Sequence, residues 1–211
     1  MKKIYFVRHG ESEGNAGPVR QTKLSPLTKK GKQQANSVAK RCAEFPIETI
    51  ICSTMTRAKE TAEIILKNIS KPIEYSDLFI ERRRPKEVYG KPKNDPIGIE
   101  VEKSIENNFH LPGFRFSNEE NFEDLKKRAR EALQYLANRK EENILVVTHG
   151  LFMRILVAYV LFGEKLTGEE CSNFMKGLYM ENTGISAFEY GEIEKIPHWW
   201  LWMWNDHSHL D

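Results

Sequence analysis

Two histidines stand in matched sequence settings that favour chemistry at the ends of two strands. Four apolar residues, one polar residue and a His-Gly pair occur as IYFVRHG at residues 4–10 and again as ILVVTHG at residues 144–150. If both apolar quartets form parallel strands, His9 and His149 lie at the carboxyl edge of one sheet, where open α/β sheets bind their ligands. A lone histidine is more often a packed or surface residue, but two of the six histidines in matched settings indicate a shared site.

Two arginines are placed to bring positive charge to the same edge of the sheet. Arg8 directly precedes the first of these histidines, and Arg57 follows the predicted strand at 49–52 by five residues, in the first turn of the next predicted helix. A guanidinium group makes planar, paired hydrogen bonds to phosphate oxygens, and a helix start after His149 also favours an anion. Either arginine alone could be a solvated surface residue. Together with the histidines, they indicate a phosphate pocket.

Short buried strands and amphipathic helices alternate along the chain to position these residues. Continuous apolar quartets are typical of a parallel sheet covered on both faces. Helix starts are indicated by Thr28 and by the capping-box spacing of Ser117 and Glu120. We therefore expect strands at 4–7, 49–52, 72–75, 144–147 and 185–190, and helices at about 28–44, 55–69, 117–136 and 151–162. This alternation predicts a three-layer α/β/α fold with a mostly parallel central sheet.

The segment 82–116 interrupts the alternation. It is polar and contains four prolines, so we interpret it as an insertion or lid over the sheet edge of one domain spanning residues 1–211. Its first part, residues 82–93, carries six basic residues and one acidic residue, Glu87. The simplest interpretation is a solvated loop. The alternative is a basic rim, including Arg83 and Arg84, that attracts substrates with a second anionic group.

Composition and charge exclude several functional classes. The chain has 32 Lys and Arg residues against 30 Asp and Glu residues, a net charge of +2, which does not fit a dedicated nucleic-acid binder. The apolar runs are too short to span a membrane, and Arg8 ends the first of them well short of the length that a signal peptide needs. Because the three cysteines are widely spaced, we interpret them as reduced, buried thiols of a cytoplasmic protein.

The aromatic tail WWLWMW at residues 199–204 has two interpretations. Exposed aromatic side chains can stack on nucleic-acid bases, but such platforms carry interleaved basic residues that this tail lacks. We therefore expect a packed final strand and no nucleic-acid partner.

The motifs around the two histidines resemble those of the histidine phosphatase superfamily, also called the phosphoglycerate mutase-like family. The segment FVRHGES at residues 6–12, followed by Asn15, resembles the family signature. Further similar segments occur in the family's order over nearly the whole chain: LTKKGKQQA at 27–35, STMTRAKET at 53–61, VTHG at 147–150, ENTG at 181–184, and WND with a later HL within 204–210.

The resemblance implies a phosphoglycerate mutase-like fold and a covalent mechanism. His9 would attack phosphorus in line and form a phosphohistidine. Other residues would hold the oxygens of the phosphoryl group or lie at the pocket rim: Arg8, Asn15, Arg57, His149 and Gly150. Catalysis would then rest on positioning and electrostatics, as in other phosphoryl transfers. No metal and no cofactor are expected, because the arginines supply the positive charge.

The departing alkoxide needs a proton, which a carboxylic acid can deliver. The family places a glutamate just after the third strand, and Glu81 matches that position best. Glu87 is the alternative. Beyond Glu81 the chain departs from the common family pattern, because Arg82 to Pro85 (RRRP) stand where many members have a glycine and a Trp-Glu pair.

The favoured function is hydrolysis of small phosphomonoesters. One alternative is a phosphoglycerate-type mutase, which returns the phosphoryl group to substrate rather than to water. The resemblance favours hydrolysis, because mutases of the family carry a longer, more closing insertion between the segments that match Glu81 and His149. The other alternative is a non-catalytic module that binds phosphorylated ligands on the same fold. Such relatives would lose the nucleophile or an arginine, whereas this chain keeps both histidines and both arginines.

We predict that turnover survives chelation. Since arginines and histidines carry the charge and no carboxylate cluster suits Mg²⁺, EDTA should leave the rate of phosphomonoester hydrolysis unchanged. Steady-state assays before and after dialysis against EDTA check this. Loss of turnover that one added divalent metal restores would contradict it.

Overall fold

A six-stranded sheet forms the centre of the molecule, and its strand order places the two His-Gly sequences side by side. The structure is a computed structural model that describes residues 1–210. The strands are β1 (Lys2–Arg8), β2 (Thr49–Ser53), β3 (Ile73–Ser76), β4 (Asn143–Thr148), β5 (Ile185–Ile193) and β6 (Ile196–Asp206). Their order is β3-β2-β4-β1-β5-β6. The first four strands in this order run parallel, and β5 and β6 are antiparallel to their neighbours.

The pairing of β1 with β4 sets the position of the histidines. The two strands are parallel and in register, with Val7 opposite Val147 and Arg8 opposite Thr148. His9 and His149 therefore leave the sheet at the same level, as the sequence echo predicts. The apolar quartets of both strands are buried, and most of their side chains are fully inaccessible.

Helices cover both faces of the sheet. They are α1 (Glu13–Ala16), α2 (Lys29–Cys42), α3 (Thr56–Ile69), α4 (Pro96–Asn108), α5 (Phe122–Ala137), α6 (Gly150–Phe162) and α7 (Gly168–Gly177). Alternate residues of β1 enter different cores: Ile4 and Phe6 pack with α5 and α6, whereas Tyr5 and Val7 pack with α2 and α3. This double burial explains why the strands are continuously apolar. The predicted α/β fold with a mostly parallel sheet is confirmed.

Helix α5 begins later than its sequence signals predict. Asn121 caps it, accepting a hydrogen bond from the Asp124 N–H at 3.1 Å while the Asp124 carboxylate accepts from the Asn121 N–H at 3.2 Å. The expected capping box of Ser117 and Glu120 is wrong. Glu120 is instead buried and binds the Arg128 guanidinium, with an Nε–Oε1 distance of 2.7 Å. A buried charge without a partner is costly, so the ion pair takes precedence over a local cap.

The segment 82–116 contains helix α4, which the sequence patterns did not predict. Val88, Val101 and Ile105 form a small buried cluster there. The segment is also joined to the loop before α2, because Val19 forms a β-bridge with Pro92. These contacts make it a side wall beside the carboxyl edge of the sheet. The interpretation of the segment 82–116 as a lid over the sheet edge stays a prediction.

The aromatic tail forms the final strand, as expected, and lies at one edge of the sheet. Strand β6 pairs only with β5 among the described residues. Trp202 is 57% exposed, and the Lys3 ammonium lies 3.8 Å from the centroid of its ring. The three cysteines are buried and free. In residues 1–210, no helix combines the length and apolar character needed to cross a membrane.

Candidate active site

His9 is held by four contacts immediately after β1. Its backbone N–H donates to the Thr148 carbonyl at 3.0 Å, and its carbonyl accepts from the Asn182 side-chain amide at 2.9 Å. Its ring Nδ1 lies 2.7 Å from the Gly10 carbonyl, and its Nε2 lies 3.0 Å from the Arg57 Nε. A carbonyl only accepts and a guanidinium only donates. The proton of the neutral ring is therefore on Nδ1, and Nε2 carries the lone pair.

The surroundings keep this imidazole neutral. Burial, together with the positive charges of Arg57 and Arg8, holds the pKa of His9 well below its ordinary value of 6.5. The hydrogen bond to Gly10 acts in the opposite direction but is the smallest of these effects. At neutral pH the ring is therefore a neutral base, whose Nε2 lone pair accepts from the Arg57 Nε–H.

His149 lies against His9 and is also neutral. The two ring centroids are 5.0 Å apart. Burial, followed by the charge of Arg57, holds the pKa of His149 well below 6.5. Its Nε2 lies 2.7 Å from the Ser53 hydroxyl, which also accepts from the Met55 N–H at 3.3 Å. The tautomer in which Ser53 donates to Nε2 carries the ring proton on Nδ1, which is buried and has no hydrogen-bond partner within residues 1–210.

Arg57 is the cation closest to the imidazole of His9. It lies in the first turn of α3, is 1% exposed, and donates from Nη1 to the Thr22 carbonyl at 3.0 Å. Burial lowers the pKa of Arg57 to about 10, while the charge of Glu81 opposes this effect. The guanidinium therefore stays charged at neutral pH.

Arg8 is the last residue of β1, and its side chain lies beside the start of α6. Its Nη1 donates to the Met180 carbonyl, and its Nε is buried without a partner within residues 1–210. A Cβ atom on Gly150 would stand only 3.0 Å from this Nε. The glycine after His149 therefore leaves room for the guanidinium of Arg8.

Glu81 lies at the N-terminus of α6, close to these cations. Its Oε2 accepts from the Leu151 N–H at 3.2 Å, and its Oε1 accepts from the Phe152 N–H at 3.1 Å. The charge of Glu81 raises the pKa values of Arg8 and Arg57 against the effect of burial. An acidic side chain is thus placed within electrostatic reach of both arginines.

The other predicted site residues differ in position. Asn15 lies at the cavity described below, as expected for a rim residue, and its Oδ1 accepts from the Ser12 N–H at 3.2 Å. Glu87 does not line that cavity, and its Oε1 accepts from the Ser117 hydroxyl at 2.9 Å. Glu81, and not Glu87, therefore lies at the cavity and within electrostatic reach of Arg8 and Arg57.

A cavity of about 830 Å³ opens beside this cluster. Arg57, Glu81 and Asn15 line it, as do side chains of the segment 82–93. The other charged residues that line it are mostly basic, with Glu102 as the exception: Arg20, Lys23, Arg82, Arg83, Arg84, Lys86 and Lys93. An anionic molecule of metabolite size fits this volume and charge.

Two residues of the cluster were not singled out in the sequence analysis. Ser53 contacts the ring of His149, and Asn182 donates to the backbone carbonyl of His9. Both lie inside quoted motifs. The rule that polar residues at strand ends meet at one edge would have identified Ser53, which ends β2 beside β4. No spacing signal points to Asn182, because it reaches His9 from a turn far along the chain.

Comparison with known proteins places these features in context. The model of the histidine phosphatase superfamily (branch 1) matches residues 4–206. The chain is 31% identical to the "Probable phosphoglycerate mutase GpmB" of Salmonella arizonae, over 100% of this chain and 96% of that protein. The solved structure of Bacillus stearothermophilus YhfR is similar with a TM-score of 0.82 at 27% identity, covering 100% of both chains.

Two further structures share the fold at lower identity. The alpha-ribazole phosphatase from Shigella flexneri has a TM-score of 0.78 at 22% identity, covering 97% of this chain and 96% of its own. A mycobacterial glucosyl-3-phosphoglycerate phosphatase, solved with VO3, has a TM-score of 0.78 at 19% identity, covering 97% and 99%. At these identities the likeness shows the fold alone.

We predict that Arg57 controls the titration of His9. Because the Arg57 charge lowers the pKa of His9, the Arg57→Gln substitution should raise that pKa, so that the ring becomes protonated at a higher pH than in the parent. Ring ¹⁵N chemical shifts of labelled protein, followed against pH, measure this and also report the Nδ1–H tautomer. Arg130→Gln, on the outer face of α5, is the control and should change nothing. An unchanged His9 titration in Arg57→Gln would contradict the prediction.

Proposed function

The chain belongs to the histidine phosphatase superfamily, and on that premise we propose that it is a phosphatase that hydrolyses small phosphomonoesters through a phosphohistidine. The resemblance that the motifs indicated is confirmed, and it supports an enzyme of the phosphatase or mutase type. The observation that carries the proposal is the His9 ring. It is neutral, its tautomer is set by Gly10 and Arg57, and its Nε2 lone pair lies beside a charged guanidinium.

In the first step, the Nε2 of His9 attacks phosphorus and the bond to the ester oxygen breaks. An entering phosphate competes for the Arg57 N–H that Nε2 accepts in the free protein, and this releases the lone pair. The protonated Glu81 carboxyl gives its proton to the departing oxygen, so that the alcohol leaves neutral. In the second step, Glu81 takes a proton from water while the oxygen of that water bonds to phosphorus. The bond between phosphorus and the Nε2 of His9 breaks, its electron pair returns to Nε2, and inorganic phosphate and free His9 are formed.

The remaining residues stabilise the charge on the phosphoryl oxygens. Arg8 Nε and His149 Nδ1 are buried and have no partner within residues 1–210. With the His149 ring proton on Nδ1, each can donate to an oxygen without losing another bond. The Gly150 N–H, at the first position of α6, and the Asn15 side chain complete the set. Donors that are preorganised around developing charge are the main source of rate in such reactions.

A mutase is the second candidate, because the 31% identical relative is named as one. The two activities share the first step and differ in what receives the phosphoryl group. Hydrolysis needs only water to reach the phosphohistidine, whereas a mutase must hold the first product until the group is returned. We also propose that the enzyme needs no metal and is cytoplasmic. The three free, buried cysteines support this location.

The function is tested by trapping the phosphoenzyme. A ³²P-labelled phosphomonoester, mixed and quenched within one turnover, should give an acid-labile, base-stable label on His9 and then inorganic phosphate. His9→Ala should abolish the label, and His198→Ala, on strand β6, should retain it. Label on another residue would contradict the assignment of His9 as the nucleophile. Transfer of the label to an added phosphoglycerate, with little release of phosphate, would establish the mutase instead.

The structure changes the interpretation of the basic segment 82–93. Arg82 is buried and binds Glu119 at 2.6 Å, and Arg84 binds Glu102 at 3.3 Å. Arg83 and Arg84 both line the cavity, but the ion pair with Glu102 partly neutralises Arg84. Arg83 and Lys86 line the cavity and form no ion pair within residues 1–210. We propose that these two side chains attract substrates with a second anionic group.

Charge removal at this rim should change recognition more than chemistry. The double variant Arg83→Gln/Lys86→Gln should raise KM for a phosphorylated carboxylic acid and leave that for 4-nitrophenyl phosphate almost unchanged. The difference should shrink with added salt, since exposed charges are screened beyond about 10 Å at 0.1 M. Lys127→Gln/Arg130→Gln, on the outer face of α5, removes equal charge as the control. Equal KM changes for both substrates would show that Arg83 and Lys86 do not recognise a second anionic group.

A further inference from the structure

A buried ion pair outside the reacting groups encloses the segment that carries Glu81. We propose that Arg128 and Glu120 form a positioning pair that holds the Glu81 carboxyl where it can protonate the leaving group. This inference rests on the proposed function, in which Glu81 is the acid. Arg128 is 8% exposed and Glu120 is 2% exposed, so neither acts by touching the substrate in the open cavity.

Arg128 holds the chain on the N-terminal side of Glu81. Its Nη1 donates to the Leu78 carbonyl at 3.0 Å and to the Ile80 carbonyl at 2.8 Å. Ile80 is the residue directly before Glu81. The other edge of the guanidinium binds Glu120 in a fork, with Nε–Oε1 at 2.7 Å and Nη2–Oε2 at 2.8 Å. Only arginine offers a planar fork for a carboxylate with further donors for the two carbonyls.

Glu120 holds the chain on the C-terminal side of Glu81. Its Oε2 accepts from the Arg83 N–H at 3.2 Å, and its backbone N–H donates to the Arg83 carbonyl at 3.0 Å. Its own carbonyl accepts from the Arg82 Nε at 3.0 Å. The pair therefore fastens residues 78–80 and 82–83, and leaves the side chain of Glu81 between them.

Arg128 also supports the groups that bind the Glu81 carboxylate. Its guanidinium carbon lies 3.9 Å from the centroid of the Phe152 ring. The backbone N–H of Phe152 donates to Glu81 Oε1 at 3.1 Å. One side chain thus contacts both the segment that carries the acid and the residue that binds its oxygen. A displacement of about 1 Å at such a point can cost roughly a hundredfold in rate.

The alternative is that the pair only stabilises the fold, which breaking any buried ion pair would also reveal. The two roles differ in their dependence on the leaving group. A misplaced acid slows esters of poorly acidic alcohols and spares nitrophenyl esters, whose leaving group needs little protonation. A loss of folded protein slows all substrates equally.

The test is the dependence of kcat/KM on the pKa of the leaving group, over a series of aryl and alkyl phosphomonoesters. It compares the parent with Arg128→Lys, Glu120→Gln, Glu81→Gln and the double variant Glu81→Gln/Arg128→Lys. Arg139→Lys is the matched control, because Arg139 follows the same helix and also forks a carboxylate, Glu141, but at the opposite edge of the sheet. Thermal melts of every variant fix an assay temperature at which all are folded. If Arg128→Lys does not fold, Glu120→Gln takes its place in every comparison, including the double variant. Glutamine has the shape of glutamate and keeps an oxygen that accepts from the Arg83 N–H.

We expect Arg128→Lys and Glu120→Gln to lose roughly tenfold to a hundredfold on alkyl esters and less than about threefold on nitrophenyl phosphate. In the Glu81→Gln background, Arg128→Lys should cost almost nothing further. Equal losses for all leaving groups, or a full additional loss in the Glu81→Gln background, would overturn the positioning role alone. A parent protein that hydrolyses no member of the series would overturn the proposed function, and this inference with it.

Discussion

The parallel pairing of β1 with β4 is the constraint on which the rest of the site depends. Because Arg8 lies opposite Thr148, the two His-Gly sequences leave the sheet together, and their rings meet at a centroid distance of 5.0 Å. A shift of register by one residue would turn every side chain of β1 to the other face of the sheet. That shift would exchange the two cores and separate the histidines at the same time. Fold stability and site geometry are therefore controlled by the same ladder of hydrogen bonds.

Burial is the second condition that shapes the chemistry. Two imidazoles and two guanidinium groups share a region from which water is largely excluded. Proximity of like charges forbids all four from being cationic, and the arginines keep the charge because their ordinary pKa values are far higher. The histidines are left neutral, which is the state that a nucleophile or a hydrogen-bond donor of fixed tautomer requires. In its ionised form, Glu81 balances part of the remaining positive charge.

Local sequence patterns predicted the parts of this structure that depend on local burial. Continuous apolar quartets identify β1 and β4, since each strand is buried on both faces, and the polar residue after each quartet marks the carboxyl edge. The same patterns placed Arg57 in the first turn of its helix. They did not predict helix α4, whose apolar residues pack on a small cluster of its own, or the start of α5. That start is moved by the pairing of Glu120 with Arg128, a contact between side chains whose partners lie in the segment near Glu81. Contacts of this kind have no periodicity, so only the folded chain reveals them.

The strand order has a consequence for how the protein is made. Strand β1 leaves the ribosome before its two neighbours, β4 and β5, which lie at residues 143–148 and 185–193. Its apolar residues therefore have no sheet to join until most of the chain has been synthesised, and such long-range strand pairing forms slowly. An unpaired apolar strand is prone to aggregation during that interval. His9 is thus translated long before the strands that flank β1, and the site around it can form only after those strands have been made.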